Sequence, residues 1–129
     1  MHNGSCLCGA IRFEVTAALG SADVCHCQQC RKWTGHFLPS VEVARGSLVI
    51  DGADQLSWYA SSDKVRRGFC GQCGSSLFFD PLDQSKHDWV AIALGAFDTP
   101  LTQCVARHIF VSEKGDYYEI DDGLPQNAR

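Results

Sequence analysis

Three cysteines, Cys25, Cys27 and Cys30, fall within six positions in the stretch "VCHCQQCRKWTG" (24–35). Seven of the eight cysteines cluster in this way, as Cys6-x-Cys8, Cys25-x-Cys27-x-x-Cys30 and Cys70-x-x-Cys73, while Cys104 stands alone. Thiols one or two residues apart would close strained loops as disulfides, whereas their sulfurs converge readily on one metal ion. Cys6-x-Cys8 precedes a strand pattern, and Cys70-x-x-Cys73 lies in the turn "FCGQCGSS" before another. Gly71 and Gly74 there are expected to supply the tight backbone of a zinc knuckle, positive φ included. Two short pairs far apart in sequence are the usual way to build a closed tetrahedral site, which assigns Cys6, Cys8, Cys70 and Cys73 to one structural zinc.

The middle cluster brings only three thiolates to an ion that takes four ligands. Either Cys104, His26 or His36 closes the site, or the fourth position stays open, as in catalytic zinc. His26 sits between two ligands that point one way, so its own ring is expected to point elsewhere. Cys104, in "LTQCVARHIF", has no second cysteine or Gly turn beside it and fits a small buried hydrophobe. An open three-thiolate site does restricted chemistry. Its net negative centre acidifies water poorly compared with histidine-rich zinc. Soft sulfur ligands suit a further thiol, which would lose its proton there and become a nucleophile for a small electrophile such as an aldehyde.

The elements that must position these clusters read as strands. "IRFEV" alternates apolar and polar residues, and "FLPSVEV", "SLVI", "LSWYA", "SLFFD", "WVAIALGAF", "RHIFV" and "DYYEI" are short and rich in β-branched and aromatic residues. "ARGS", "DGAD", "SSDK" and "DPLDQS" provide turns. Only "CHCQQCRKWTG" suits a helical turn, closed by Gly35. The expectation is a mainly β, small antiparallel fold with zinc-binding loops, organised as a single domain over residues 1–129. A chain of 129 residues can bury a core without disulfides, and 45% hydrophobic with 20% charged residues is ordinary for a globular protein. No apolar run approaches a membrane span, and "MHNGSCLCGA" lacks the features of a signal peptide, so a cytoplasmic setting is expected. Reduced, metal-binding cysteines agree with that setting.

In order, "GSCLCGAIRFEV", "CHCQQCRKWTG", "RRGFCGQCGSSLFF", "LGAFDTP" and "RHIFVSEK" resemble the glutathione-dependent formaldehyde-activating enzyme and centromere protein V family, from Gly4 to about Pro125. The resemblance implies an Mss4-like fold with two zinc ions. It aligns Cys6, Cys8, Cys70 and Cys73 with the structural site, and Cys25, Cys27 and Cys30 with the catalytic zinc. At that zinc the founding carbon–sulfur lyase joins glutathione to formaldehyde as S-hydroxymethylglutathione. This chain resembles the short members, which start close to the first cysteine, so the metal sites carry over better than formaldehyde does. The implied function is reversible addition of a thiol, glutathione or a similar one, to a small carbonyl compound.

Glutathione carries two carboxylates and one ammonium, which makes nearby cations candidate contacts. Arg31 and Lys32 follow the third cysteine, and Lys64, Arg66 and Arg67 lead into Cys70. Arg31, Arg66 and Arg67 are preferred because guanidinium grips a carboxylate bidentately; otherwise "KVRR" is the solvated face of a strand. His26 and His36 are placed at the surface or behind the ligands, His108 in a structural hydrogen bond, and His2 and His87 in exposed loops. Trp33, Trp58 and Trp89 are assigned to the core, and "DDGLPQNAR" to a mobile tail. A nucleic-acid ribbon is disfavoured by a net charge of −4, which seven thiolates and two divalent ions would make more negative. A zinc-stabilised interaction domain and a thiol redox switch are the alternative functions.

Overall fold

Short alternating segments separated by Gly, Asp and Ser turns build two sheets in the computed structural model, which describes residues 1–102 and 105–129. In chain order the elements are β1 (His2–Ser5), β2 (Arg12–Val15), β3 (Ala22–Cys25), α1 (Gln28–Thr34), β4 (Leu38–Ala44), β5 (Leu48–Asp51), β6 (Leu56–Ala60), β7 (Val65–Cys70), β8 (Ser76–Pro81), β9 (Trp89–Ala93) and β10 (Val105–Ile109). The smaller sheet runs β1-β2-β5 and the larger β10-β3-β4-β9-β8-β7-β6. The fold is mainly β and mostly antiparallel. One edge departs from the antiparallel expectation, because β10 pairs with β3 in parallel. The long stretch of chain between them allows β10 to return to the edge running in the same direction.

One face of the larger sheet is the core. Val41, Val43, Phe78, Val90 and Ile92 pack against Phe13 and Val15 of the smaller sheet, all buried. Phe13 and Phe78 meet edge to face with centroids 5.7 Å apart. Asp80, 2% exposed, accepts from Arg45 Nη1 and Arg66 Nε, each at 2.7 Å, so this buried charge is paired twice.

The pleat sends the alternate residues to the opposite face. Arg107 and Ile109 lie beside Asp23 and Cys25, which in turn lie opposite Ser40 and Leu38. Glu42 is opposite Ala91, and Ala91 opposite Phe79. Five strands thus bring a row of polar and aromatic side chains to one surface, with Cys25 at its end.

Several segments differ from their sequence reading. β1, β3 and β7 form where pattern is weak, "HNGS" being polar and "ADVC" only four residues long; burial of Ala22 and Val24 decides β3. His2 is therefore a strand residue, paired with Val15. "DYYEI" is not a strand, since its tyrosines turn towards His26 and His36. The final segment is hydrogen-bonded along β10 rather than free. The His108 N–H donates to Pro125 O at 2.9 Å, and the Asn127 N–H to His108 O at 2.9 Å.

Candidate metal centres

Cys6 and Cys8 lie on the loop between β1 and β2, Cys70 ends β7, and Cys73 follows in the turn to β8. In the first loop the Gly9 N–H donates to Cys6 O at 3.2 Å with Gly9 at φ +80°. In the second, the Gly74 N–H donates to Cys70 O at 2.9 Å with Gly74 at φ +79°. Gly71 differs from its expected role, because its φ is not positive. Its N–H donates to Gln55 O, and a Cβ there would stand 2.9 Å from Ser57 Oγ, so close approach is what demands glycine.

The four sulfurs lie within 4.8 Å of one another, with Cys6 to Cys8 at 3.6 Å and Cys8 to Cys70 at 3.8 Å. Tetrahedral zinc with bonds of about 2.3 Å separates its sulfurs by about 3.8 Å, so the donor set fits that ion. Backbone amides already face the sulfurs. Ile11 N–H donates to Cys6 at 3.3 Å, and the Gln72 and Cys73 N–H groups to Cys70 at 3.3 and 3.4 Å. The Ser75 hydroxyl, then the Ser75 amide, push the Cys73 thiol down to about 5. Cys8 differs, since despite the Ala10 amide, burial and the neighbouring cysteines push it up to about 11.

The second set sits where β3 enters α1. Cys25 closes β3, Cys27 is the N-cap of α1, and Cys30 lies in its first turn. The Cys30 N–H donates to Cys27 Sγ at 3.3 Å, and Gly35 at φ +90° ends the helix by donating to Arg31 O. Cys27 is held well below the ordinary thiol range, first by the Cys25 and Cys30 thiols and then by that amide and Arg67. The three sulfurs lie within 4.8 Å of one another, and among the described residues no fourth cysteine, histidine or carboxylate atom joins them. Cys104 lies outside the described residues.

Both histidines turn elsewhere. His26 is fully buried, and its Nε2 is 2.8 Å from His108 Nδ1 while its Nδ1 is 2.6 Å from the Tyr118 hydroxyl. His108 Nε2 reaches Asp122 at 2.8 Å. Burial, reinforced by His108, pushes His26 down to about 4, so the ring is neutral. With neutral rings one direction satisfies every atom: Tyr118 donates to His26, His26 to His108, and His108 to Asp122. His36 Nδ1 meets the Tyr117 hydroxyl at 2.6 Å. His26 is thus interior rather than at the surface.

The three candidate arginines part company. Arg67 is 3% exposed and donates from Nη1 to Cys30 Sγ at 3.6 Å, from Nε to Ser61 Oγ at 3.2 Å and from Nη2 to Gln29 at 3.4 Å. It is a buried cation facing a sulfur rather than part of a solvated strand face. Arg66 is held by Asp80 and lies 3.9 Å from the centroid of the Trp58 ring. Arg31 is half-buried in α1, its Nε without a hydrogen-bond partner.

A cavity of about 440 Å³ opens beside Cys25 and Cys30 on the outer face of the larger sheet. Its walls include Asp23, Glu42, Phe79, Trp89 and Arg107, and none of Arg31, Arg66 and Arg67. Trp89 and Phe79 stack nearly parallel, 6° apart, so Trp89 lines the cavity as well as packing. These residues come from five strands and carry no mutual spacing in the sequence.

The sequence profile of the glutathione-dependent formaldehyde-activating enzyme family matches residues 1–113. The chain belongs to that family. A Halomonas elongata protein named a putative glutathione-dependent formaldehyde-activating enzyme is 31% identical over 129 aligned positions, covering 92% of this chain and 80% of the relative. A Schizosaccharomyces pombe protein named an uncharacterized lyase is also 31% identical, over 60% of this chain and 56% of the relative. A Rhodobacter sphaeroides protein of known crystal structure superposes with a TM-score of 0.61 at 21% identity, over 78% of this chain and 91% of the other, so it shares the fold. The family match takes in every cysteine of both candidate centres.

Proposed function

We propose that this member of the formaldehyde-activating family adds a thiol, glutathione or a similar one, reversibly to a small carbonyl compound beside Cys25, Cys27 and Cys30. These three residues would hold a catalytic zinc, and Cys6, Cys8, Cys70 and Cys73 a structural one. When bound, the catalytic ion supplies a Lewis-acidic position that favours a thiolate over a thiol. The reaction forms one C–S bond; the thiol proton ends on the former carbonyl oxygen, giving a hemithioacetal without any redox change. The names of the relatives, a putative glutathione-dependent formaldehyde-activating enzyme and an uncharacterized lyase, support a carbon–sulfur lyase of this type.

The chain's own residues have separable tasks. The Cys30 amide and the start of α1 stabilise negative charge on Cys27. Arg67 offsets negative charge on Cys30 without reaching the cavity. Phe79, Trp89 and Leu38 give the cavity an apolar wall beside the two cysteines.

The observation that carries this reading is three converged sulfurs, with no fourth ligand among the described residues, bordering a cavity through Cys25 and Cys30. Its test is the visible absorption of the cobalt-substituted protein during a glutathione titration. A saturable rise in the sulfur-to-metal charge-transfer band is expected, followed by formaldehyde consumption only when the thiol is present. An unchanged spectrum with every thiol tried would mean a closed site and would favour a zinc-stabilised interaction domain.

A further inference from the structure

We propose that the segment from β10 to Asn127 is a clamp on the three-cysteine loop, with Tyr118 as a positioning residue. Docking of this segment and metal binding by Cys25, Cys27 and Cys30 then strengthen each other. The inference rests on the reading of those three cysteines as a metal site and adds what holds them in place.

Cys25 and Cys27 are joined through His26, so their sulfurs stay converged only while that residue keeps its conformation. The segment grips His26 at three atoms. The His26 N–H donates to Ile109 O at 3.0 Å, Nε2 donates to His108 Nδ1 at 2.8 Å, and Nδ1 accepts from the Tyr118 hydroxyl at 2.6 Å. The Tyr118 ring also stacks on the His26 ring, with centroids 5.6 Å apart and planes at 26°. His26 is fully buried, so a lost partner leaves a bare nitrogen rather than a hydrated one. The hold extends along α1. Glu113 accepts from the Gln28 N–H at 3.2 Å at its start, and the Tyr117 hydroxyl meets His36 Nδ1 just past its end.

The segment is anchored in turn. His108 Nε2 donates to Asp122, and the N–H groups of His108, Val111 and Asn127 donate to Pro125 O, Asn127 O and His108 O. Lys114 Nζ donates to Tyr118 O, which fixes the tyrosine from its backbone side. The four-cysteine set differs, because among the described residues none of its hydrogen bonds reaches β10 or the residues after it. Tyr117, Tyr118 and Asp122 lie beyond residue 113, where the family match ends. With the segment undocked, His26 and Gln28 would regain conformational freedom, and an ion would have to order them again. Linkage makes the effect reciprocal: the factor that docking adds to metal affinity is the factor that bound metal adds to docking.

The test is hydrogen–deuterium exchange of the unaltered chain carrying no, one and two zinc ions. Cys27→Ser, expected to take up one ion only, identifies which ion belongs to the three-cysteine set. That ion is expected to slow exchange of the His108, Val111 and Asn127 amides about tenfold, the scale of outer-shell effects on metal affinity, and the other ion to leave them unchanged. Tyr118→Phe keeps the ring on His26 and removes only the hydroxyl. It should weaken the same ion several-fold in competition with a chelator and leave the four-cysteine centre at its parent affinity. Exchange of these amides that ignores the ion of the three-cysteine set overturns the clamp, even where Tyr118→Phe fails to fold, and leaves the metal reading standing. A parent chain that takes up one zinc ion only overturns the metal reading and the clamp with it.

Discussion

Replacing Arg67 by Met separates a residue that tunes a metal centre from one that merely fills space. Arg67 is 3% exposed, and its nearest anionic candidate is Cys30 Sγ, 3.6 Å away. At an effective dielectric of about 20, two unit charges at that distance attract by about 5 kcal/mol. A centre of three thiolates and one zinc carries a single net negative charge spread over three sulfurs, only one of which touches Arg67. About 2 kcal/mol of the attraction should therefore vanish in Arg67→Met, a loss of about 30-fold in zinc affinity at the second centre. Without metal the balance shifts, because the Cys30 thiol that Arg67 touches is then pushed up, against the lowering contact of Cys25, by Cys27 and by burial, and Arg67 is a desolvated cation with a weaker partner. Met fills similar volume without that cost, so the metal-free variant should be as stable as the parent or slightly more so. The assay is competition against a chromophoric chelator, resolved into two classes of site, with urea unfolding before and after chelation. The four-cysteine centre is the internal control and should keep its affinity. Equal destabilisation with and without metal, at unchanged affinity for both centres, would refute the electrostatic account.

Two further outcomes follow from buried polar groups elsewhere. Asp80→Ala should leave Arg45 and Arg66 facing each other across an empty site and destabilise the fold by about 3–5 kcal/mol in urea unfolding; a loss below 1 kcal/mol would mean water reaches the pair. His108→Phe keeps a ring but removes the acceptor of His26 Nε2, leaving that fully buried nitrogen unpaired. The expected loss is about 2 kcal/mol of unfolding free energy, and His108→Gln, which can still accept, should recover part of it.

The grouping of the cysteine sulfurs into two sets was legible in the sequence because spacing within each motif is local. Cysteines one or two residues apart converge where a turn or helix start brings them together, and a helix of seven residues between Cys27 and Gly35 needs only an N-cap and a left-handed glycine. Content of β-branched and aromatic residues between turn signals likewise marked most strands of a mainly β fold, with alternation clear in "IRFEV". It missed β3, whose four residues include Asp23 and Cys25, because burial of Ala22 and Val24 depends on partners far along the chain. "DYYEI" misled for the complementary reason, since its aromatic residues are used as hydrogen-bonding and stacking partners of histidines instead of as strand residues.

Pairing across long separations was decided only by the tertiary structure. The sequence by itself put two cationic runs beside the cysteines, but the sheet turned Arg66 to Asp80 and buried Arg67 against Cys30. It brought Arg107 and Glu42 to the cavity instead, through the parallel return of β10 to β3 and the register of β4 on β9. Spacing within a motif determines which atoms can share an ion, because a few covalent bonds limit their separation. The lining of the cavity arises from strand order and register, where one step along a strand reverses the face a side chain occupies.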